Sequence, residues 1–228
     1  MSGIFFRGVR KVALALAPKA WRLPLKYRFY LAGGEAAELS WLDKLGPNAG
    51  VAIDVGANEG LYAYRLSQLY EKVYAFEINP ELTCDLKALG AGNIDVANVG
   101  LSSEKKQLKL FIPVVNGRPL TGWASLTPGN CPDTNEHIEK TVEVVRLDDL
   151  NVGRVQFIKI DVEGHEFEVL KGAAETIQRN RPHSLVEVKE ANRVAVFGFF
   201  DKLGYTRRPL SEIIEQAGTK DDFVFAPQ

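Results

Sequence analysis

A chain of 228 residues, 46% hydrophobic and 25% charged, suits one globular domain with a sizeable core and leaves room for a small appendage. A formal net charge of −1 argues against a surface built throughout to hold nucleic acid, DNA in particular. Two cysteines, Cys84 and Cys131, give no disulfide framework and read as free thiols in a reducing, cytoplasmic setting.

Residues 1–34 carry seven basic side chains and no acidic one, leaving a net charge of −8 on the remainder. Val9, Val12, Ala13 and Leu16 fall on one face at helical spacing, with Arg10 and Lys11 away from it. Three readings fit: a helix capping the sheet or covering a substrate, contact of residues 7–28 with an anionic membrane surface, or a disordered arm. The apolar run Val12–Ala17 is short for a signal peptide and meets Pro18, and no stretch is long enough to cross a bilayer. Glu35–Leu45 reads as a helix ended by Gly46-Pro47, dividing a basic segment with a cap helix, 1–45, from a main domain, 46–228.

The main domain opens on Val51-Ala52-Ile53-Asp54-Val55-Gly56-Ala57-Asn58-Glu59-Gly60, an apolar strand, a glycine turn and a helix start near Leu61. Asp54 stands late in that strand, where a parallel sheet opens its ligand crevice, and Gly56 lets backbone approach a ligand. The next apolar run, Val73-Tyr74-Ala75-Phe76, ends at Glu77, an acid placed to take the two hydroxyls of a ribose. Asn58 occupies the place of a second phosphate-cradling glycine, so the turn fits a nucleoside cofactor lacking pyrophosphate and disfavours a dehydrogenase. A bare strand-to-helix turn without ligand is the plain alternative.

A helix from Asn79-Pro80 to about Leu89 and a strand at Ile94–Val99 continue the alternation of a parallel sheet with helices on both faces. Leu108–Pro113 and Thr141–Val145 read as strands around a long excursion, about 114–137, rich in glycine, proline and small polar residues. Within it, Trp123 and Ser125 are candidates for substrate contact and closure, with Lys189 as a further candidate for an acidic acceptor. The alternation resumes with a strand Phe157–Ile160, a helix Glu166–Ile177, a strand Ser184–Val188, a helix Ala195–Leu203 and two late elements from Gly204 and at Phe223–Phe225, read as an antiparallel pair.

Ile160-Asp161-Val162-Glu163-Gly164-His165-Glu166 crowds ionisable groups at the end of a strand, a costly arrangement unless used. The joint occurrence of Asp54-Val55-Gly56-Ala57-Asn58, Phe76-Glu77 with Asn79-Pro80, Asn98 with Leu101-Ser102, Arg146-Leu147-Asp148 and Asp161-Val162-Glu163-Gly164 resembles the FkbM family of S-adenosylmethionine-dependent methyltransferases, from about residue 50 to about residue 190. The resemblance implies a Rossmann-like class I fold: a seven-stranded, mostly parallel α/β sheet with a late antiparallel hairpin. It implies that Asp54, Gly56, Ala57 and Asn58 contact the methionine part of the cofactor, Glu77 and Ile78 the ribose side, and Asn98 and Val99 the adenine. Asp161 and Glu163 would face donor and acceptor, the acceptor being a hydroxyl of a small molecule or a carbohydrate-containing compound.

An alcohol must lose its proton as it attacks, so a carboxylate or imidazole is required within reach. Glu163, His165 and Glu187 are the candidates. Asp161, Glu163 and Glu187 could alternatively hold a divalent cation such as Mg²⁺. An N-methyltransferase, an enzyme acting on RNA or polysaccharide, and a non-catalytic cofactor-binding protein remain as other readings. Against RNA, no interleaving of aromatic and basic residues follows residue 34.

Overall fold

The computed structural model describes residues 3–33, 37–128, 134–214 and 220–228. Val51–Val55 (β1), Lys72–Phe76 (β2), Ile94–Ala97 (β3), Val155–Ile160 (β8) and His183–Glu187 (β9) form a parallel sheet. Tyr205–Pro209 (β10) and Asp222–Pro227 (β11) close its far edge as an antiparallel pair, giving the order β10-β11-β9-β8-β1-β2-β3. The strand order reverses at β1, whose neighbours are β2 and β8. The carboxyl ends of these central strands therefore open on a crevice, as expected at a topological switch point.

Because both faces are covered, the central strands are apolar on both sides apart from the buried charges Asp54 and Lys159. Ile53, Val55, Ile158 and Ile160 pack with Val169, Ile177, Val196 and Phe200 from Glu166–Gly172 (α5), Ala174–Asn180 (α6) and Arg193–Lys202 (α7). Ala52, Val73, Ala75 and Phe157 pack on the other face with Ala63 and Leu66 of Leu61–Leu66 (α3) and Leu86 of Cys84–Leu89 (α4). The single helix expected over 166–177 is two. Gly172 runs so close to residue 102 that a Cβ there would lie 1.9 Å from the Ser102 carbonyl oxygen, and the helical path is interrupted just after it. Residues 79–83 form a turn ahead of α4 rather than its first residues. Cys84 is a free, exposed thiol, and Cys131 lies outside the described residues.

The central excursion is more regular than its composition suggests. Lys106–Val115 (β5) and His137–Val145 (β7) form a long antiparallel hairpin, joined by Gly100–Leu101 (β4) and Arg118–Pro119 (β6) into a second sheet of order β4-β7-β5-β6. Asn116 and Gly117 both have positive φ and form the two-residue turn that folds β6 back on β5. Residues 129–133 of the excursion lie outside the described set.

At the amino-terminal end are two helices, Gly3–Leu16 (α1) and Lys19–Gly33 (α2), the second containing Pro24. Leu23 of α2 is fully buried in the same cluster as Leu39, Leu42 and Ala52. The expected cap helix after residue 35 is a 3-10 turn, Ala37–Lys44, with Glu35 outside the described residues. The apolar face of α1 does not cap the sheet: Val12 is 60% exposed and Leu16 81%. α2 takes that place, and among the described residues no helix is long and apolar enough to cross a membrane.

Candidate active site

The turn after β1 is fixed by backbone. The amides of Gly56 and Ala57 donate to the Phe76 carbonyl at 2.9 and 3.0 Å, and the Asp161 amide donates to the Val55 carbonyl at 3.0 Å. These bonds draw together the ends of β1, β2 and β8. Glu77, directly after β2, accepts the Asn58 amide at Oε2 (2.7 Å) and the Asn79 amide at Oε1 (2.8 Å). Burial raises its pKa, while the two amides act to lower it. The carboxylate is thus aimed and held, with lone pairs left for a ligand's hydroxyls.

A cavity of about 290 Å³ opens at this point. Gly56, Asn58, Glu77, Ile78, Asp161, Glu163, His165 and Glu187 all line it, so eight of the residues singled out in the sequence converge on one space. Leu82, Gly100, Leu101 and Leu110 add an apolar wall, and Thr121, Gly122, Ala124 and Leu126 of the excursion close it from above. The excursion expected over the site does reach it, but Trp123 and Ser125, the members singled out in the sequence, do not line this cavity. Trp123, 46% exposed, faces a second cavity of about 190 Å³ with Phe111 and His137. Ser125 is buried and donates to the Glu163 carbonyl at 2.7 Å, pinning the excursion to the turn after β8.

Asp54, Ala57, Asn98 and Val99, also expected at the cofactor, do not line this cavity. Asp54 is wholly buried on the α3 side of the sheet, with its Oδ1 3.9 Å from the Lys159 ammonium. Burial pushes its carboxyl up to about 6, against the pull of Lys159. Ala57 is buried in the core, and Val99 packs against the opposite core. Asn98 donates to the Glu77 carbonyl (3.2 Å) and Thr83 Oγ1 (3.1 Å) and accepts from Lys87, so it braces the strand ends. Alternation accounts for Asp54: Ile53 and Val55 face one core, and Asp54 between them faces the other, opposite Lys159 in the β1–β8 register.

Lys159 is the residue that sequence reasoning passed over. It is a lone charge in the apolar strand β8, and that was its signal. Its Nζ lies 3.0 Å from Asp161 Oδ2 and 4.4 Å from the Tyr62 ring centroid. Burial opposes its charge, but Asp161 and Asp54 outweigh this and raise its pKa. Burial likewise acts to raise Asp161, yet Lys159 and a hydrogen bond from Glu187 hold it below its ordinary value. Burial and the adjacent Asp161 carboxylate push Glu187 up to about 8, so the two carboxyls share a proton near neutral pH. Lys189 bridges Glu163 and Glu187 at 3.1 Å to each, and lies at the edge of the cavity rather than lining it. Asp161, Glu163 and Glu187 offer oxygens within 4.8 Å of one another, close enough for one cation. His165 Nε2 lies 3.0 Å from Ser102 Oγ, and burial lowers its pKa, leaving the ring neutral at pH 7.

Glu166, read in the sequence with this acidic cluster, is fully buried and structural. Its Oε1 accepts the Gly164 amide at 2.6 Å, and Asn192 reaches its other oxygen and the Gly164 carbonyl. The turn it braces holds Glu163 at φ 50°, which aims that side chain into the cavity.

Among solved structures, the methyltransferase FkbM from Methylobacillus flagellatus KT superposes with a TM-score of 0.53 at 16% identity over 96% of this chain. The chain spans 57% of the length of that structure. A putative methyltransferase from Streptococcus mutans in complex with SAH matches with a TM-score of 0.49 at 14% identity, covering 83% of this chain and 94% of that one. No curated protein matches the chain. The model of the methyltransferase FkbM domain matches residues 54–207, which span the glycine turn, the excursion and the acidic turn after β8 and end within the first late strand. The chain belongs to the FkbM family of S-adenosylmethionine-dependent methyltransferases.

Proposed function

We propose that residues 46–228 transfer a methyl group from S-adenosylmethionine to a hydroxyl oxygen of a small molecule or carbohydrate-containing acceptor. The observation that carries this reading is the meeting, in one cavity, of the Glu77 cradle and the closely spaced Asp161 and Glu187 carboxyls. The donor supplies an electrophilic methyl on a sulfonium. Gly56 and Asn58 would seat its amino-acid end, Glu77 its ribose, and Ile78, Leu82 and Leu101 its base. The remaining task is to place an oxygen in line and take its proton.

The Asp161–Glu187 pair suits that task. When the acceptor oxygen bonds to the methyl carbon, the carbon–sulfur bond breaks and the hydroxyl proton passes to the pair. Lys159 beneath and Lys189 beside it limit the accumulation of negative charge. A divalent cation between Asp161, Glu163 and Glu187 is the second reading. It would have to displace the Lys189 ammonium from its place between the two glutamates.

Calorimetric titration tests the cofactor half. One-site binding of S-adenosylmethionine is expected, weakened by about 1–3 kcal/mol in Glu77→Ala, as for a lost charge-assisted pair of hydrogen bonds. Glu77→Gln, which keeps an acceptor for the turn, separates ligand contact from turn support. Equal affinity in wild type and both variants would remove Glu77 from the ribose.

The pH profile tests the proton acceptor. Ionisation of Glu187 makes the pair a stronger base, so turnover should rise as pH passes through about 8. A rise complete by the usual histidine range would instead assign the role to His165, whose pKa is lowered. Stability moves the other way. Glu187 binds its proton more tightly folded than unfolded, so its contribution is full below the ordinary value of 4.5 and is lost as pH climbs through about 8.

A further inference from the structure

We propose that the α1–α2 hairpin is a docking surface for an anionic lipid bilayer. Val9, Val12 and Leu16 form an outward stripe on α1, and Trp21 of α2, 72% exposed, continues it beyond the corner at Pro18. Soluble helices bury such a stripe, but the less exposed side of α1 is the face of Arg10, Ala13 and Leu14, and α2 already covers the core. Beside the corner lies an apolar groove of about 320 Å³ lined by Ala17, Ala20, Trp21, Pro24 and Leu25, with Arg28 at its rim.

Charge selects the occupant. The first 34 residues hold seven of the chain's 28 basic residues and none of its 29 acidic ones. Arg10 lies over the Tyr30 ring, Arg22 donates to the Ala17 carbonyl, and Lys26 pairs with Glu59. Lys11, Lys19 and Arg28 stand exposed around the apolar stripe. Aliphatic side chains and a tryptophan flanked by cations match the interface of an anionic bilayer, where apolar insertion and headgroup attraction act together. A second copy of the chain would set these cations against their like.

The test is co-sedimentation of the full chain with phosphatidylcholine vesicles, with and without phosphatidylglycerol. Binding at least about tenfold stronger to the anionic vesicles, and lost at high salt, is expected. Leu16→Ser with Trp21→Ser should abolish it, and Lys11→Glu with Lys19→Glu should weaken it, both without changing affinity for S-adenosylmethionine. Absent or equal binding to the two vesicle types would overturn the proposal. So would a lipid-independent dimer that Leu16→Ser with Trp21→Ser dissociates, or RNA binding by the wild type that survives that double change.

Discussion

Replacing Asp161 with asparagine is expected to lower turnover by about 10²–10⁴-fold while S-adenosylmethionine still binds. Asparagine keeps the shape but removes the charge that raises Glu187 and neutralises Lys159. With Asp161 neutral, Glu187 keeps the upward push of burial but loses that of the neighbouring carboxylate, and becomes a weaker proton acceptor. The high-pH limb of the activity profile should therefore move downward together with the loss of rate. Lys159 keeps Asp54 at 3.9 Å, so folding should survive with a loss of about 1–3 kcal/mol for a weakened buried charge interaction. Steady-state turnover, a pH profile and a denaturant melt on the same preparation separate these effects. Full activity in the variant would take Asp161 out of the reacting centre.

Gly56→Ala should be the most damaging small substitution in the cavity. A Cβ at Gly56 would lie 1.8 Å from the Asp161 carbonyl oxygen, and the residue sits at φ 77°. The left-handed backbone alone costs an alanine about 1 kcal/mol. The overlap adds more, because the Asp161 carbonyl is backbone and a Cβ cannot rotate away: the turns after β1 and β8 must part, breaking the Asp161–Val55 bond and the tie to Phe76. A stability loss of about 3 kcal/mol or more is expected, with no measurable cofactor binding in the folded fraction. Gly90→Ala is the internal control. It shares the positive φ, at 65°, but its Cβ would meet nothing within 4 Å, so only the backbone cost of about 1 kcal/mol should appear. Equal losses at the two sites would mean that the turns after β1 and β8 are not locked together.

What could be read in the sequence follows from the range of the forces involved. The strands around Ile53 and Ile158 are apolar runs punctuated by glycine turns, that around Tyr74 is one ended by Glu77 and Asn79-Pro80, and local pattern suffices to find them. The acids at strand ends, Glu77 and Asp161, were legible because a parallel sheet places such positions at its crevice. The burial of Asp54 away from the cavity was not legible, because the sequence does not say which face of a doubly covered strand a side chain takes. The β5–β7 hairpin was read as a loop flanked by short strands, since an arm with many exposed positions lacks clean alternation. The Asn116-Gly117 turn, which folds β6 back on β5, was the overlooked clue. Lys159 was visible only as a charge in an apolar run, and its partners, Asp54 and Asp161, are supplied by register between strands far apart in sequence. Helix α2 was hidden by Pro24 and by a polar-apolar mixture that only burial against α3 and α4 makes intelligible.

Strand β1 pairs on one side with β2, close behind it, and on the other with β8, where Ile53 meets Ile158. During synthesis the apolar flank of β1 must wait, unpaired, until the hairpin and everything else before β8 has left the ribosome. Such non-local closure is slow, and an open apolar edge invites pairing with another chain. Fragments ending before Val155 would carry that edge permanently and should aggregate.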